Sequence, residues 1–204
     1  MILTFKQPKH KTFCLTLASC LLASPAFAWK IEKSQGSVSV ETKGKQTPAA
    51  VGVELLEGQI VVTGSDGRAL IKDGESEVWL GSGTRFQLQA VADSEADKEG
   101  RLDLLAGRLR AKFKKPLGPS EFPYKVRVKT VVAGVRGTEF FVAIDGSEEK
   151  ICTLEGLVRV SSIKGAEFWD VPKNKGLFVK PKEMPKVRET SASQSKQWIE
   201  QTTF

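Results

Sequence analysis

"QIVVTGSDGRALIKDGESEVWLGSGTRFQLQAV", residues 59–91, decides the fold. The runs "QIVVT" (59–63), "RALI" (68–71), "EVWL" (77–80) and "RFQLQAV" (85–91) are short and apolar. "GSDG" and "KDGES" separate the first three. In these turns Asp66 and Asp73 each precede a glycine, as turn formers do. In "RFQLQA" the apolar residues fall at Phe86, Leu88 and Ala90. That period of two puts one face of a strand against a core.

The same grammar extends outward. "GSVSV" (36–40) lies upstream. Downstream come "RLDLL" (101–105), "RLRAKF" (108–113), "YKVRVKTVV" (124–132), "TEFFVAI" (138–144), "KICTL" (150–154), "LVRVSS" (157–162), "EFWDV" (167–171) and "GLFVK" (176–180). Many short strands with glycine-rich turns predict an all-β single domain, either solenoid-like or a sandwich or jelly-roll. "LLEGQIVV" (55–62), "LLAGRLRA" (104–111) and "TLEGLVRV" (153–160) place Gly58, Gly107 and Gly156 at intervals of 49 and 49. "GTRF" (83–86) is echoed by "GTEF" (137–140) at an offset of 54. The spacing predicts pseudo-repeats. Evenly fallen tight corners are the plainer explanation. "ADSEADKEG" (92–100) reads as a solvated hairpin loop and "KPLGPSEFP" (115–123) as a proline-rich connection. Residues 189–204 read as a short C-terminal helix or frayed tail.

The start of the chain has a different character. A basic segment with Lys6, Lys9, His10 and Lys11 precedes the apolar "FCLTLASCLLA" (13–23), and "SPAFA" ends in Ala26-Phe27-Ala28. This is the layout of a secretory signal peptide over 1–28, cleaved after Ala28. Lipidation at Cys20 in "LASC" is the competing reading. The expected divisions are therefore a leader (1–28), a β domain (29–188) and the tail (189–204). Export implies a periplasmic or secreted protein, with no transmembrane helix in the mature chain. Three of the 31 basic residues leave with the leader and none of the 24 acids, so the net charge falls from +7 to about +4. That mild excess and the export signal argue against nucleic acid as a partner.

Cleavage also removes Cys14, Cys20 and the single histidine, leaving Cys152 alone. No intrachain disulfide can then form, and nucleophiles activated by imidazole are absent. Cys152 sits in a strand and reads as a core thiol. No metal or cofactor motif is present in the sequence. The acids Asp93, Glu95, Asp97 and Glu99 lack the spacing of a calcium loop. Charge supplies the candidate site. In "RLRAKFK", Arg108, Arg110, Lys112 and Lys114 alternate with Leu109, Ala111 and Phe113. In "KVRVK", Lys125, Arg127 and Lys129 alternate with Val126 and Val128. Were the two strands to pair across the proline-rich loop with 112 opposite 125, the cations would stack into one face. Opposed like charges need something negative between them. Either neighbouring strands supply acids, or the face takes an anionic partner: a cell-envelope polymer, a membrane surface or an envelope protein.

In "VVAGVRGTEFFVAIDG" (131–146), Gly134, Arg136, Gly137, Thr138 and Glu139 interrupt an apolar run. They read as a structural corner, because no base or nucleophile accompanies them. "GSVSV", residues 52–88, "LDLLAGRLRA", "VVAGVRGTEFFV" and "TLEGLVRV" occur in the order of the FecR domain, which this chain resembles over roughly 35–180. Gln59 stands where that family often has Asp after the glycine. The resemblance implies a β domain of the periplasm without catalytic or cofactor-binding residues. The family's iron-transport sensors add a sigma-factor-binding segment, a membrane helix and a receptor-contacting domain. Here a leader replaces the first two, and the tail is too short for the third. The expectation is thus a non-enzymatic exported module that binds an envelope component or protein. The alternatives are a soluble periplasmic regulator acting in trans on a sigma-factor and receptor system, and a carboxylate-based glycan hydrolase.

Overall fold

Along most strands every second side chain is buried. In Ser76–Leu80 residues 76, 78 and 80 are buried, and in Arg85–Gln89 Phe86 and Leu88 are. The computed structural model describes residues 29–89, 100–114, 124–165 and 167–204. The leader, the proline-rich connection and all but the last residue of the acidic loop lie outside the described residues.

Among the described residues sixteen strands and one helix follow in chain order. They begin with β1 (Lys30–Gln35), β2 (Val38–Thr42), β3 (Lys45–Pro48), β4 (Ile60–Thr63), β5 (Arg68–Asp73), β6 (Ser76–Leu80), β7 (Arg85–Gln89) and β8 (Gly100–Lys112). They continue with β9 (Tyr124–Arg127), β10 (Val131–Val135), β11 (Glu139–Asp145), β12 (Glu148–Glu155), β13 (Leu157–Ser162), β14 (Phe168–Pro172), β15 (Lys175–Val179), β16 (Lys186–Glu189) and α1 (Ala192–Thr202). They form one sheet folded into two wings that share β8. Wing I runs β1-β5-β6-β8-β11-β12-β15-β16. Wing II runs β3-β2-β4-β7-β8-β9-β10-β13-β14. All pairs are antiparallel except β8 with β9. Ile31, Ile71, Leu80, Leu109, Phe140 and Leu177 of wing I meet Val40, Phe86, Leu102, Val126 and Val160 of wing II in one core. The architecture is therefore all-β, with the two wings sandwiching one core. Each such side chain contributes about 1.5–3 kcal/mol by leaving water.

The repeats have a structural meaning. In the first unit, Arg85 lies opposite Ala106 and Phe86 opposite Leu104, so Leu105 is an extra, bulged residue. In the second, Glu139 lies opposite Glu155 and Phe140 opposite Thr153, so Leu154 is the extra one. A glycine follows each bulge, Gly107 with φ +83° and Gly156 with φ +84°. A Cβ on Gly107 would lie 2.5 Å from the Gly83 carbonyl oxygen. One on Gly156 would lie 3.0 Å from Thr138 Cγ2 and 3.2 Å from the Gly137 carbonyl oxygen. Each Leu-x-Gly bulge thus packs on a Gly-Thr pair, and there the chain changes wings. The unequal offsets of 49 and 54 reflect five more residues between Phe86 and Leu104 than between Phe140 and Thr153. Gly107 lies opposite Ile144 and Lys112 opposite Glu139, so the two corners sit at opposite ends of wing I.

Six strands depart from expectation. "RLDLL" and "RLRAKF" are one strand of 13 residues that bends through Gly107. "YKVRVKTVV" is two strands, closed by a turn in which Val128 N–H donates to the Val131 carbonyl at 2.9 Å. β1, β3 and β16 carried no alternating apolar signal, because each is an edge strand with mostly exposed side chains. Gln59 performs a turn interaction of its own, its Oε1 accepting from Leu56 N–H at 2.8 Å.

Candidate functional site

Residues 136–138 join β10 of wing II to β11 of wing I. Thr138 is buried, and its carbonyl accepts from Phe113 N–H at 2.9 Å. Gly137 has φ +61°. Gly134 lies within β10, opposite Lys125 on one side and Arg159 on the other. Arg136 is half-buried beside it. Glu139 opens β11 and reaches across the sheet to Arg110, 2.8 Å away.

The seven cations divide between the wings. Arg108, Arg110 and Lys112 stand on the outer face of wing I, because Leu109 and Ala111 between them point into the core. Arg110 is largely enclosed, its side chain only 11% exposed. Besides Glu139 it donates to Thr203 Oγ1 at 3.3 Å, and its guanidinium lies 3.8 Å from the centre of the Trp79 ring. Arg108 donates to Gln201 Oε1 at 2.9 Å. Lys112 stands opposite both Glu77 and Glu139, and Lys114 pairs with Glu75. Helix α1 covers this face. Ser191 and Gln194 form its capping box, and Trp198 stacks on Phe141 with centroids 5.4 Å apart. The two arginines thus meet side chains at the C-terminal end of the helix, where its dipole favours cations.

The expected pairing of 112 with 125 is corrected. Both edges of the C-terminal half of β8 are taken, by β6 and β11. The chain after the proline-rich segment pairs instead with the N-terminal half, in parallel. Arg101 faces Lys125, and Asp103 faces Arg127. Lys125 and Arg127 thus lie on wing II, away from Arg108 and Arg110. Lys129 is in the β9–β10 turn, donating to the Gly146 carbonyl at 3.3 Å. The face expected as one is two.

On wing II the register sets Asp103, Arg127, Val132, Ser161 and Phe168 in one crosswise row on the outer side. Arg101, Lys125, Arg127, Val132 and Ile163 line an open depression of about 260 Å³. Arg101 is 3.5 Å from the buried Asp103 carboxylate, which also accepts from Gln89 at 3.1 Å. Arg159 grips Asp170 through two nitrogens at 2.8 and 3.1 Å, and this hydrogen bonding holds the carboxyl below its usual value. The far half of wing II is closed by the pair Arg85–Glu41, at 3.0 Å. Sequence reasoning missed Arg101, although "RLDLL" carries the alternation that found Arg108.

Burial pushes the Cys152 thiol up to about 12, so no thiolate is available there at neutral pH. Among the described residues no three of His, Cys, Asp and Glu are grouped to hold a metal ion. Also among these residues, no helix is long and apolar enough to cross a membrane.

A family model described as FecR protein matches residues 59–159. No curated protein matches the chain. Two crystal structures of a candidate anti-sigma factor from Parabacteroides distasonis, at 2.50 and 1.65 Å resolution, share its fold. Each has a TM-score of 0.55 and 15% identity, over 68% of this chain and 62% of the other. The chain therefore spans about three fifths of the length of those structures.

Proposed function

Since this chain belongs to the FecR family through the domain at 59–159, we propose that it is a non-enzymatic binding module of the bacterial envelope. It is exported by the leader 1–28, acts in the periplasm or outside the cell, and is built as a β domain (29–188) with a C-terminal segment (189–204). Its binding face is the outer side of wing II around Arg101, Lys125 and Arg127, and its partner is anionic. The observation that carries this reading is the open depression with three cations on its rim. On wing I, Arg110 is paired with Glu139, Lys114 with Glu75, and Arg108 is bonded to helix α1.

A second reading draws on the fold shared with the candidate anti-sigma factor. It makes the module a periplasmic regulator that acts in trans on a separate sigma-factor and receptor system. Pull-down from envelope fractions tests the shared core of both. The wild-type protein retains a partner, and the double variant Lys125→Glu/Arg127→Glu loses it with its melting temperature unchanged. Full retention by that variant overturns the wing II assignment. The identity of the retained partner then separates the two readings: a receptor or membrane signalling protein favours regulation.

A further inference from the structure

Phe168 and Met184 are the most exposed large apolar side chains among the described residues, at 68% and 79%. They are also neighbours, lining with Glu167 and Trp169 a second open depression of about 290 Å³. Phe168 is in register with Ser161, Val132 and Arg127, so it belongs to the same outer row as the cations. Ile163, also exposed, reaches the cationic depression, and Arg159 lies 5.7 Å from the centre of the Phe168 ring. One side of the sandwich thus presents projecting apolar groups beside a cluster of Arg and Lys.

Resting on the wing II reading above, we propose that this face docks on an anionic lipid surface, with Phe168 and Met184 entering the headgroup region. Arg101, Lys125 and Arg127 meet the lipid charges. Two features favour lipid over a folded protein. The depressions are open to solvent, unlike the enclosed, desolvated pockets that hold a protein partner's anchoring side chain. Phe168 and Met184 leave most of their apolar surface open to solvent. A fluid surface accepts such a shape without matching it, and an apolar tip beside cations is what holds proteins at membrane interfaces. Of the described acids nearby, Asp170 is engaged by Arg159, Asp103 is buried beside Arg101, and Glu167 lines the second depression.

Sedimentation with vesicles of phosphatidylglycerol and phosphatidylcholine, against phosphatidylcholine alone, tests this. The protein is expected to bind only the anionic vesicles. Lys125→Gln and Arg127→Gln each lower partitioning about fivefold, and together about 30-fold. Phe168→Ser/Met184→Ser leaves the fold intact by circular dichroism but abolishes the part of binding that resists salt. Lipids brominated on the acyl chain quench Trp169 fluorescence, and the quenching disappears in Trp169→Phe. Absence of binding to anionic vesicles overturns the proposal, as does binding unaltered by Phe168→Ser/Met184→Ser. Capture of an acidic protein without vesicle binding also overturns it, while leaving the wing II reading in place. Envelope binding that survives Lys125→Glu/Arg127→Glu sinks that reading instead.

Discussion

Strand β8 offers a comparison within one ribbon. Its C-terminal half carries Arg108 and Arg110, its N-terminal half Arg101, and the three alternate with apolar residues in the same way. On wing I the guanidinium groups end on Glu139, Gln201 and Thr203 and lie over Trp79, beneath the edge of α1. On wing II Arg101 leans on a single carboxylate at 3.5 Å and lines an open depression. Alternation fixes which side of a sheet a residue faces, and what later packs on that side determines whether its charge is used up. The same cations hold the molecule together on one wing and face outward on the other.

If this contrast is sound, substitutions on wing I are costly and those on wing II are nearly silent for stability. Trp198→Ala should lose the most, about 3 kcal/mol in urea unfolding, because it empties the contact with Phe141. The same variant should let a thiol reagent reach Cys152, which is buried in the wild type. Its wing II counterpart, Phe168→Ala, should change stability by less than about 0.5 kcal/mol. Equal losses in the two variants would break the comparison.

Glu139→Gln comes next, at about 2 kcal/mol, because it leaves the enclosed Arg110 without a counter-charge. Gln201→Ala should cost about 1 kcal/mol by removing the acceptor for Arg108. Both are read from the shift in denaturation midpoint.

The smallest effect is a pH dependence on wing II. The Arg159 hydrogen bond holds Asp170 below its ordinary value of 3.8. The folded state therefore gains stability from Asp170 above that value and loses it as pH falls through the lower, folded pKa. Because the pair is exposed, the amount is under about 0.5 kcal/mol. In Asp170→Asn this acid-side slope should vanish, while stability at neutral pH stays within the same margin. An undiminished slope in the variant would assign it to another carboxylate.

Much of this fold could be read from the order of residues. The alternation in "RFQLQ" and "RLRAKF" marks the inner face correctly, and the evenly spaced Gly107 and Gly156 mark bulged corners. Local spacing could not reveal long-range pairing. The prolines between 115 and 123 suggest a hairpin, yet β9 lies parallel to a part of β8 more than twenty residues upstream, since the nearer half is already paired on both edges. The cover over wing I was equally hidden. Only Trp198 in 189–204 hints at a docking helix, and nothing in its neighbours says which sheet it meets. For the candidate cations the side of the sheet was legible and the surroundings were not: Arg108 and Arg110 meet the chain's own end, while Lys125 and Arg127 line a depression with Arg101, which the alternation had not singled out.

That β8 belongs to both wings has a mechanical corollary. A ribbon stitched into two layers denies either layer the freedom to melt by itself, so heat or force must breach both at once. Backbone amides of 100–112 should be the last to exchange with heavy water, and thermal unfolding should pass in a single step.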